Sequence, residues 1–232
     1  INPAKRLEEF QALVTRTHKN GLKVLIDIVP NHIARKYEGK SNPKGVRDFG
    51  ADDNKAVEYD RNNNFYYIPG ESFKVPFSET YKPLNGEKNP LIDGKFDENP
   101  AKWTGNGSRK AQPDINDWYE TVKVNYGIRP DGSKDFPELP ADYAKKSYKE
   151  HFDFWKDKDV PNSWKKFRDI ALYWTAKGVD GFVLVSDPAT IYRASFREGG
   201  QRDPRRRHAL GLHGHRPAVQ RGHRSADHLA HV

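Results

Sequence analysis

The chain has 232 residues, of which 35% are hydrophobic and 31% are charged, and its formal net charge is +8. It contains no cysteine, so disulfide bonds and thiolate metal sites are excluded. It has no apolar run of the roughly 18 residues that a membrane-spanning helix needs, so we predict no membrane insertion. The first residue is Ile1 and the sequence contains no methionine, from which we expect a fragment of a longer protein.

A first helix–strand unit is predicted near the start of the chain. Asn2 and Pro3 suit the N-cap and the first position of a helix, and apolar residues recur at helical spacing up to Gly21, where the helix should end. Residues 22–30, LKVLIDIVP, are apolar and rich in Val and Ile. This composition is typical of a strand buried on both faces of a parallel sheet.

Residues 33–150 show no regular period. Gly, Pro, Asn and Asp recur throughout, and the stretch is far too long for an ordinary connection between two elements. Aromatic residues, including Trp103 and Trp118, are frequent in it, although disordered segments are usually poor in them. The sequence therefore favours an inserted domain, with a lid or a disordered segment as the alternatives.

A second helix–strand unit is predicted after the insertion. Asn162 or Ser163 can cap its helix, and Gly178 should end it. The helix carries an apolar stripe made of Trp164, Phe167, Ile170, Ala171 and Trp174. The segment VDGFVLV then predicts a second buried strand. Two helix–strand units that flank an insertion indicate an α/β protein with parallel strands.

The composition changes after Phe182. Residues 183–232 contain nine Arg, no Lys and six of the nine His, but only two of the 28 aromatic residues. So few large apolar residues cannot offset the entropy of ordering the backbone, and we predict that the chain is disordered from about residue 188 onward. Residues 183–232 carry +5 of the net charge of +8, and they lack aromatic interleaving and any known nucleic-acid-binding fold. Binding of nucleic acid is therefore the least favoured function.

Three motifs carry the candidates for function. In DIVPNH, Asp27 lies inside an apolar strand and needs a partner if it is buried, while Asn31 and His32 follow the strand end, where parallel α/β folds place their sites. A plain strand-end turn is the alternative. Asp114, in QPDIN, is by itself most often a turn residue. The third motif, GVDGF, indicates only a tight turn into a strand, here around Asp180.

The order of these motifs resembles the α-amylase family, glycoside hydrolase family 13. GLKVLIDIVPNH resembles the first signature region, QPDIN a motif late in the family's inserted domain, and KGVDGF the opening of the signature on the fourth strand. The resemblance covers residues 1–182. It implies an α/β fold, a partial (β/α)8 TIM barrel from the second helix to the fourth strand, with a long irregular insertion between the third strand and third helix. The expected divisions are residues 1–32 and 151–187 as barrel segments, 33–150 as the insertion, and 188–232 as a non-family tail.

The resemblance implies retaining hydrolysis of α-glucans such as starch or maltodextrin. That chemistry needs two carboxyl groups about 5–5.5 Å apart. Val183 and Val185 stand where the family has an Arg and its nucleophilic Asp, and nothing after them resembles the motif of the acid/base Glu. Asp187 lies two residues beyond Val185, roughly 6.6 Å along an extended strand, too far to replace the nucleophile. We therefore predict no catalytic residue and no activity for the chain as written.

The remaining site residues follow from the same resemblance. His32 and Asp27 are the candidate substrate-binding residues for an α-glucan or maltooligosaccharide, and the Arg replaced by Val183 is a plausible partner for Asp27. Asn31 and Asp114 match positions that bind calcium in many members, although two ligands fall short of the six that calcium takes. The abrupt change after Phe182 predicts a reading-frame slip or a chimeric join. The alternative is a catalytically dead homologue that binds glucan or scaffolds a partner.

Overall fold

The computed structural model describes residues 3–39, 42–76 and 96–184, and the backbone of 209 and 210. A short 3-10 turn leads into the first helix, and a second, Ala141–Lys145, precedes the later ones. The three α-helices are α1 (Arg6–Lys19), α2 (Tyr148–Trp155) and α3 (Asn162–Ala176). The strands are β1 (Leu25–Ile28), β2 (His32–Ala34), β3 (Tyr67–Ile68), β4 (Ala101–Lys102), β5 (Thr121–Lys123), β6 (Gly181–Leu184) and β7 (Ala209–Leu210).

The two predicted helix–strand units are confirmed in position, and their strands pair. β1 and β6 run parallel, with Asp27 opposite Val183. The helices α1 and α3 meet through an edge contact between the rings of Phe10 and Trp174, whose centroids are 5.3 Å apart. The two units pair although Leu25 and its partner Gly181 lie 156 residues apart along the chain, with the insertion between them.

The prediction that β1 is buried on both faces is wrong for the described structure. Leu25 is 57% exposed and Asp27 is exposed on the same face, while Ile26 and Ile28 are half-buried. This alternation arises because nothing in the described part of the chain covers the Leu25 face. Asp27 consequently keeps its hydration and needs no buried cationic partner.

The described sheets are small and open. β7 adds to β6 as an antiparallel neighbour, which makes the order β1-β6-β7, and β2-β5 and β3-β4 form two antiparallel pairs. None of these three sheets closes on itself, so the barrel stays a prediction from the resemblance. Nor does the described portion include a helix long and apolar enough to cross a membrane.

The predicted insertion contains a packed core wherever it is described. One cluster consists of Phe65, Tyr67, Val122 and Val124, and Phe167 of α3 packs against it. A smaller cluster consists of Phe73, Ala101 and Ala111. The aromatic residues that argued against disorder thus supply this core, and Phe167 connects it to the second helix–strand unit.

The helix ends match the predicted glycines but not the predicted caps. Gly21 and Gly178 follow α1 and α3 with φ of +73° and +98°, a left-handed conformation that glycine adopts without strain. The residue that precedes α3 is Pro161, and Ser163 does not cap the helix. Ser163 is instead fully buried, and its hydroxyl accepts a hydrogen bond from Asn64 in the insertion. Asn2 and the predicted tail, apart from the β7 backbone, lie outside the described residues.

Asp180 of the third motif ties the two helix–strand units together. Its carboxylate accepts a hydrogen bond of 2.8 Å from the Val24 backbone N–H, contacts His18 at 2.7 Å and pairs with Lys23 at 3.1 Å. The hydrogen bond from Val24, assisted by His18 and Lys23, lowers the pKa of Asp180 to about 2. The turn residue predicted from sequence is thus an anchor for the start of β1.

Replacing Asp180 by asparagine should lower the free energy of unfolding by about 1.5–3 kcal/mol at pH 7, the range for a hydrogen bond to a charged group. Because folding lowers this pKa, the stabilisation is present above the unfolded value near 3.9 and is lost as pH falls toward about 2. Urea denaturation of both proteins across this range measures the difference. Asp169→Asn, at an exposed position in α3, is the matched control, and a difference that persists undiminished in acid would contradict the assignment.

Candidate functional site

Asn31 lies in the turn between β1 and β2, and His32 is the first residue of β2. Asn31 is 3% exposed, and its side-chain amide donates a hydrogen bond of 3.1 Å to the Gly105 carbonyl. The same amide nitrogen lies 3.2 Å from His32 Nδ1. Since an amide nitrogen can only donate, Nδ1 accepts, which leaves the proton of a neutral His32 on Nε2. The turn is therefore rigid, with the imidazole in one tautomer.

Trp118 contacts His32 from the insertion. The two rings meet edge to face, with centroids 5.2 Å apart. The indole is 43% exposed, but its backbone is held at both ends. Its N–H donates to the Asn106 side chain at 3.2 Å, and its carbonyl accepts from the Thr121 hydroxyl at 2.9 Å. Trp118 was predicted only as an aromatic residue of the insertion; its place two residues after the QPDIN motif is the signal that could have marked it.

The close approach of the insertion to His32 requires a glycine. A Cβ at Gly105 would lie 2.1 Å from the Thr121 hydroxyl oxygen and 3.1 Å from the His32 Cβ. The backbone of this loop therefore packs closely against Thr121 and the His32 Cβ, and any side chain at position 105 would push the loop away from them.

The surroundings of His32 favour its neutral form. Burial lowers the pKa of its imidazole, and the positive charge of Lys123 lowers it further. A neutral imidazole can donate from Nε2 to a hydroxyl group, as binding of an uncharged polyol requires. It carries no charge with which to attract a carboxylate or a phosphate.

The two predicted calcium ligands, Asn31 and Asp114, both have hydrogen-bond partners within the protein. The Lys123 ammonium donates to Asn31 Oδ1 at 3.4 Å, so a cation already faces this oxygen. Asp114 is exposed, and its Oδ1 accepts from the Asn116 N–H of its own turn at 3.3 Å. Among the residues with described positions, no group of three or more His, Asp or Glu side chains is placed to hold a metal. Calcium stays a prediction from the resemblance, and no chemical step follows from it.

The candidate catalytic strand carries no reactive group where it is described. Val183 is opposite Asp27, and residues paired across parallel strands point to the same face of the sheet. An arginine at position 183 would thus lie beside Asp27, whereas valine offers it neither charge nor hydrogen bond. Val185 and Asp187 lie outside the described residues.

A residue that the sequence analysis missed organises the insertion. The Arg35 side chain is 1% exposed and donates to Glu98 at 2.5 Å and to the Tyr119 carbonyl at 2.6 Å. Its guanidinium also lies 4.0 Å from the centre of the Phe73 ring. A single Arg in a loop-like sequence carries no local signal of such burial. A cavity of about 270 Å³ lies next to it, between Phe49, Phe65 and Lys102, and its lining includes none of the predicted site residues.

Comparison with known proteins adds no relative. No family model matches the chain, and no curated protein or solved structure matches it either. The resemblance to the α-amylase family therefore rests on the three motifs and their order.

Proposed function

We propose that residues 1–182 belong to an α-amylase-like glycoside hydrolase that acts on α-glucans by a retaining mechanism. The observation that supports this proposal is the meeting of His32 and Trp118 at the carboxyl side of β1. The first motif ends at His32, and Trp118 follows the second motif, yet the fold of the insertion brings their rings into contact. The exposed indole and the neutral imidazole suit the apolar faces and hydroxyl groups of a sugar.

The chain as it stands does not hydrolyse glucan under this proposal. A retaining mechanism needs a nucleophilic carboxylate and a second carboxyl group that donates and then recovers a proton. Valine at position 185 can neither attack an anomeric carbon nor stabilise positive charge on the sugar. His32 and Trp118 bind and orient substrate, but neither supplies the missing carboxyl groups.

A catalytically dead glucan-binding homologue is the second candidate. The observation that favours it is that the sugar-facing residues are preorganised by buried partners such as Asn31, while β6 offers only apolar side chains at Phe182, Val183 and Leu184. A chain selected for binding alone would keep the sugar-binding residues and lose the charged catalytic residues of β6.

The coding DNA separates the two candidates. Read in the other two frames after codon 182, it should restore an Arg-x-Asp pattern followed by apolar strand and amphipathic helix segments. The same frame should also encode a later Glu suited to the acid/base role that a retaining mechanism requires. If neither frame encodes such a continuation, the reading-frame slip is rejected and the non-catalytic homologue takes first place.

A further inference from the structure

We propose that Trp118 is the aromatic platform on which a glucosyl ring stacks, directly beside His32. This assignment rests on the proposed function, because the choice of an α-linked glucan comes from it. The platform itself rests on the position, rigidity and surroundings of the indole.

Exposure alone does not single out Trp118, since isolated exposed apolar side chains are normal. Tyr148 and Phe152 on α2 are in fact more exposed, at 68% and 66%. Trp118 differs because two hydrogen bonds hold its backbone in place. Its backbone N–H donates to the Asn106 side chain, and its carbonyl accepts from the Thr121 hydroxyl. An exposed ring on an ordered backbone loses little conformational entropy when it binds, which is the condition for a useful platform.

The surroundings of the indole suit a neutral, hydroxylated ligand. The His32 imidazole meets the indole edge to face, with the ring centroids 5.2 Å apart. Asn106 donates to Asp117 at 3.0 Å, which places amide and carboxylate groups on the loop that carries the indole. Lys123 and Asp117 bring one positive and one negative charge to this region, so neither an anion nor a cation is favoured overall. A pyranose ring has an apolar face that can stack on the indole and hydroxyl groups that can hydrogen-bond to the polar side chains around it.

The expected affinity is low, because one stacked ring and one imidazole hydrogen bond make a small interface. We expect maltoheptaose to bind with a dissociation constant of about 1–10 mM. Nuclear magnetic resonance of the full chain labelled with 15N-tryptophan measures this directly, since the five tryptophans give separate indole signals. Maltoheptaose should shift the Trp118 signal saturably and leave that of Trp174, which packs on Phe10, unchanged.

Single substitutions test whether the Trp118 ring itself contributes to sugar binding. Trp118→Ala should weaken maltoheptaose binding at least about fivefold, read from the backbone amide shift of His32 in uniformly 15N-labelled protein. Trp118→Phe should retain part of the binding because a smaller ring still stacks. Tyr148→Ala removes a more exposed ring on α2 and is the matched control, with binding expected unchanged. Cellohexaose, with the same sugar in β linkage, tests the linkage.

The outcomes distinguish the platform from the proposed function. Equal binding of maltoheptaose to the wild type and to Trp118→Ala overturns the platform and leaves the glucan hydrolase proposal standing. Cellohexaose binding at Trp118 as tightly as maltoheptaose supports the platform and counts against an α-glucan substrate. If neither sugar shifts the Trp118 signal, the platform is overturned, and the proposed function is decided by the reading-frame test alone.

Discussion

Replacing Arg35 by methionine should lower the free energy of unfolding by about 3–5 kcal/mol, the usual effect of breaking a buried ion pair. Arg35 is almost fully buried with Glu98, and burial lowers the pKa of its guanidinium while Glu98 opposes that change. Methionine fills a similar volume but donates no hydrogen bond. It would leave the Tyr119 and Lys102 carbonyls, which now accept from the guanidinium, without this donor.

Urea denaturation of matched variants measures this effect. Arg47→Met removes an arginine that is 64% exposed and pairs with Asp52 at 2.8 Å, and it should cost less than about 1 kcal/mol. In Arg35→Met the Glu98 carboxylate keeps its ion pair with Lys102 at 3.0 Å, so the loss measured is that of the Arg35 contacts alone. An Arg35→Met protein no less stable than Arg47→Met would show that the buried network contributes nothing to the insertion.

The purified chain should show no hydrolysis of soluble starch or of a chromogenic maltoside. Removing one member of a catalytic unit commonly lowers kcat by about 10⁴–10⁶-fold, which places turnover below detection. Restoring Val183→Arg and Val185→Asp together should not rescue activity, since the acid/base carboxyl group is still missing. The restored arginine would nevertheless lie opposite Asp27, given the register of β1 and β6.

The assay needs a mock purification, because contaminating amylases from the expression host are highly active. Turnover above that background, abolished by Asp187→Asn, would mean that the nucleophile has moved to position 187. Turnover that survives Asp187→Asn and scales with the purified chain would mean that another carboxylate serves, and the predicted absence of catalysis would be wrong.

The local sequence pattern predicted the positions of the helices and strands better than it predicted which of their residues are buried. The apolar spacing of α1 and α3 and the glycines at positions 21 and 178 set the helices and their ends, because these depend on residues within one or two turns. The burial of Asp27 was predicted wrongly, since a sequence shows that a strand is apolar but not what covers it. The prediction that Ser163 could cap α3 was limited in the same way. Its hydroxyl accepts a hydrogen bond from Asn64, a residue distant in sequence, and does not cap the helix.

The candidate site was likewise predicted only in part from the sequence. The sequence by itself determined the motifs: Asn31 and His32 after a strand, Asp114 in its turn, and valines where the resemblance requires charge. Only the tertiary structure decided that Trp118 lies against His32, that the Lys123 ammonium faces Asn31, and that Arg35 is buried on Glu98. The physical reason is distance along the chain. Residue type and local spacing act through neighbouring backbone dihedrals, whereas these contacts join segments that meet only when the core of the insertion packs.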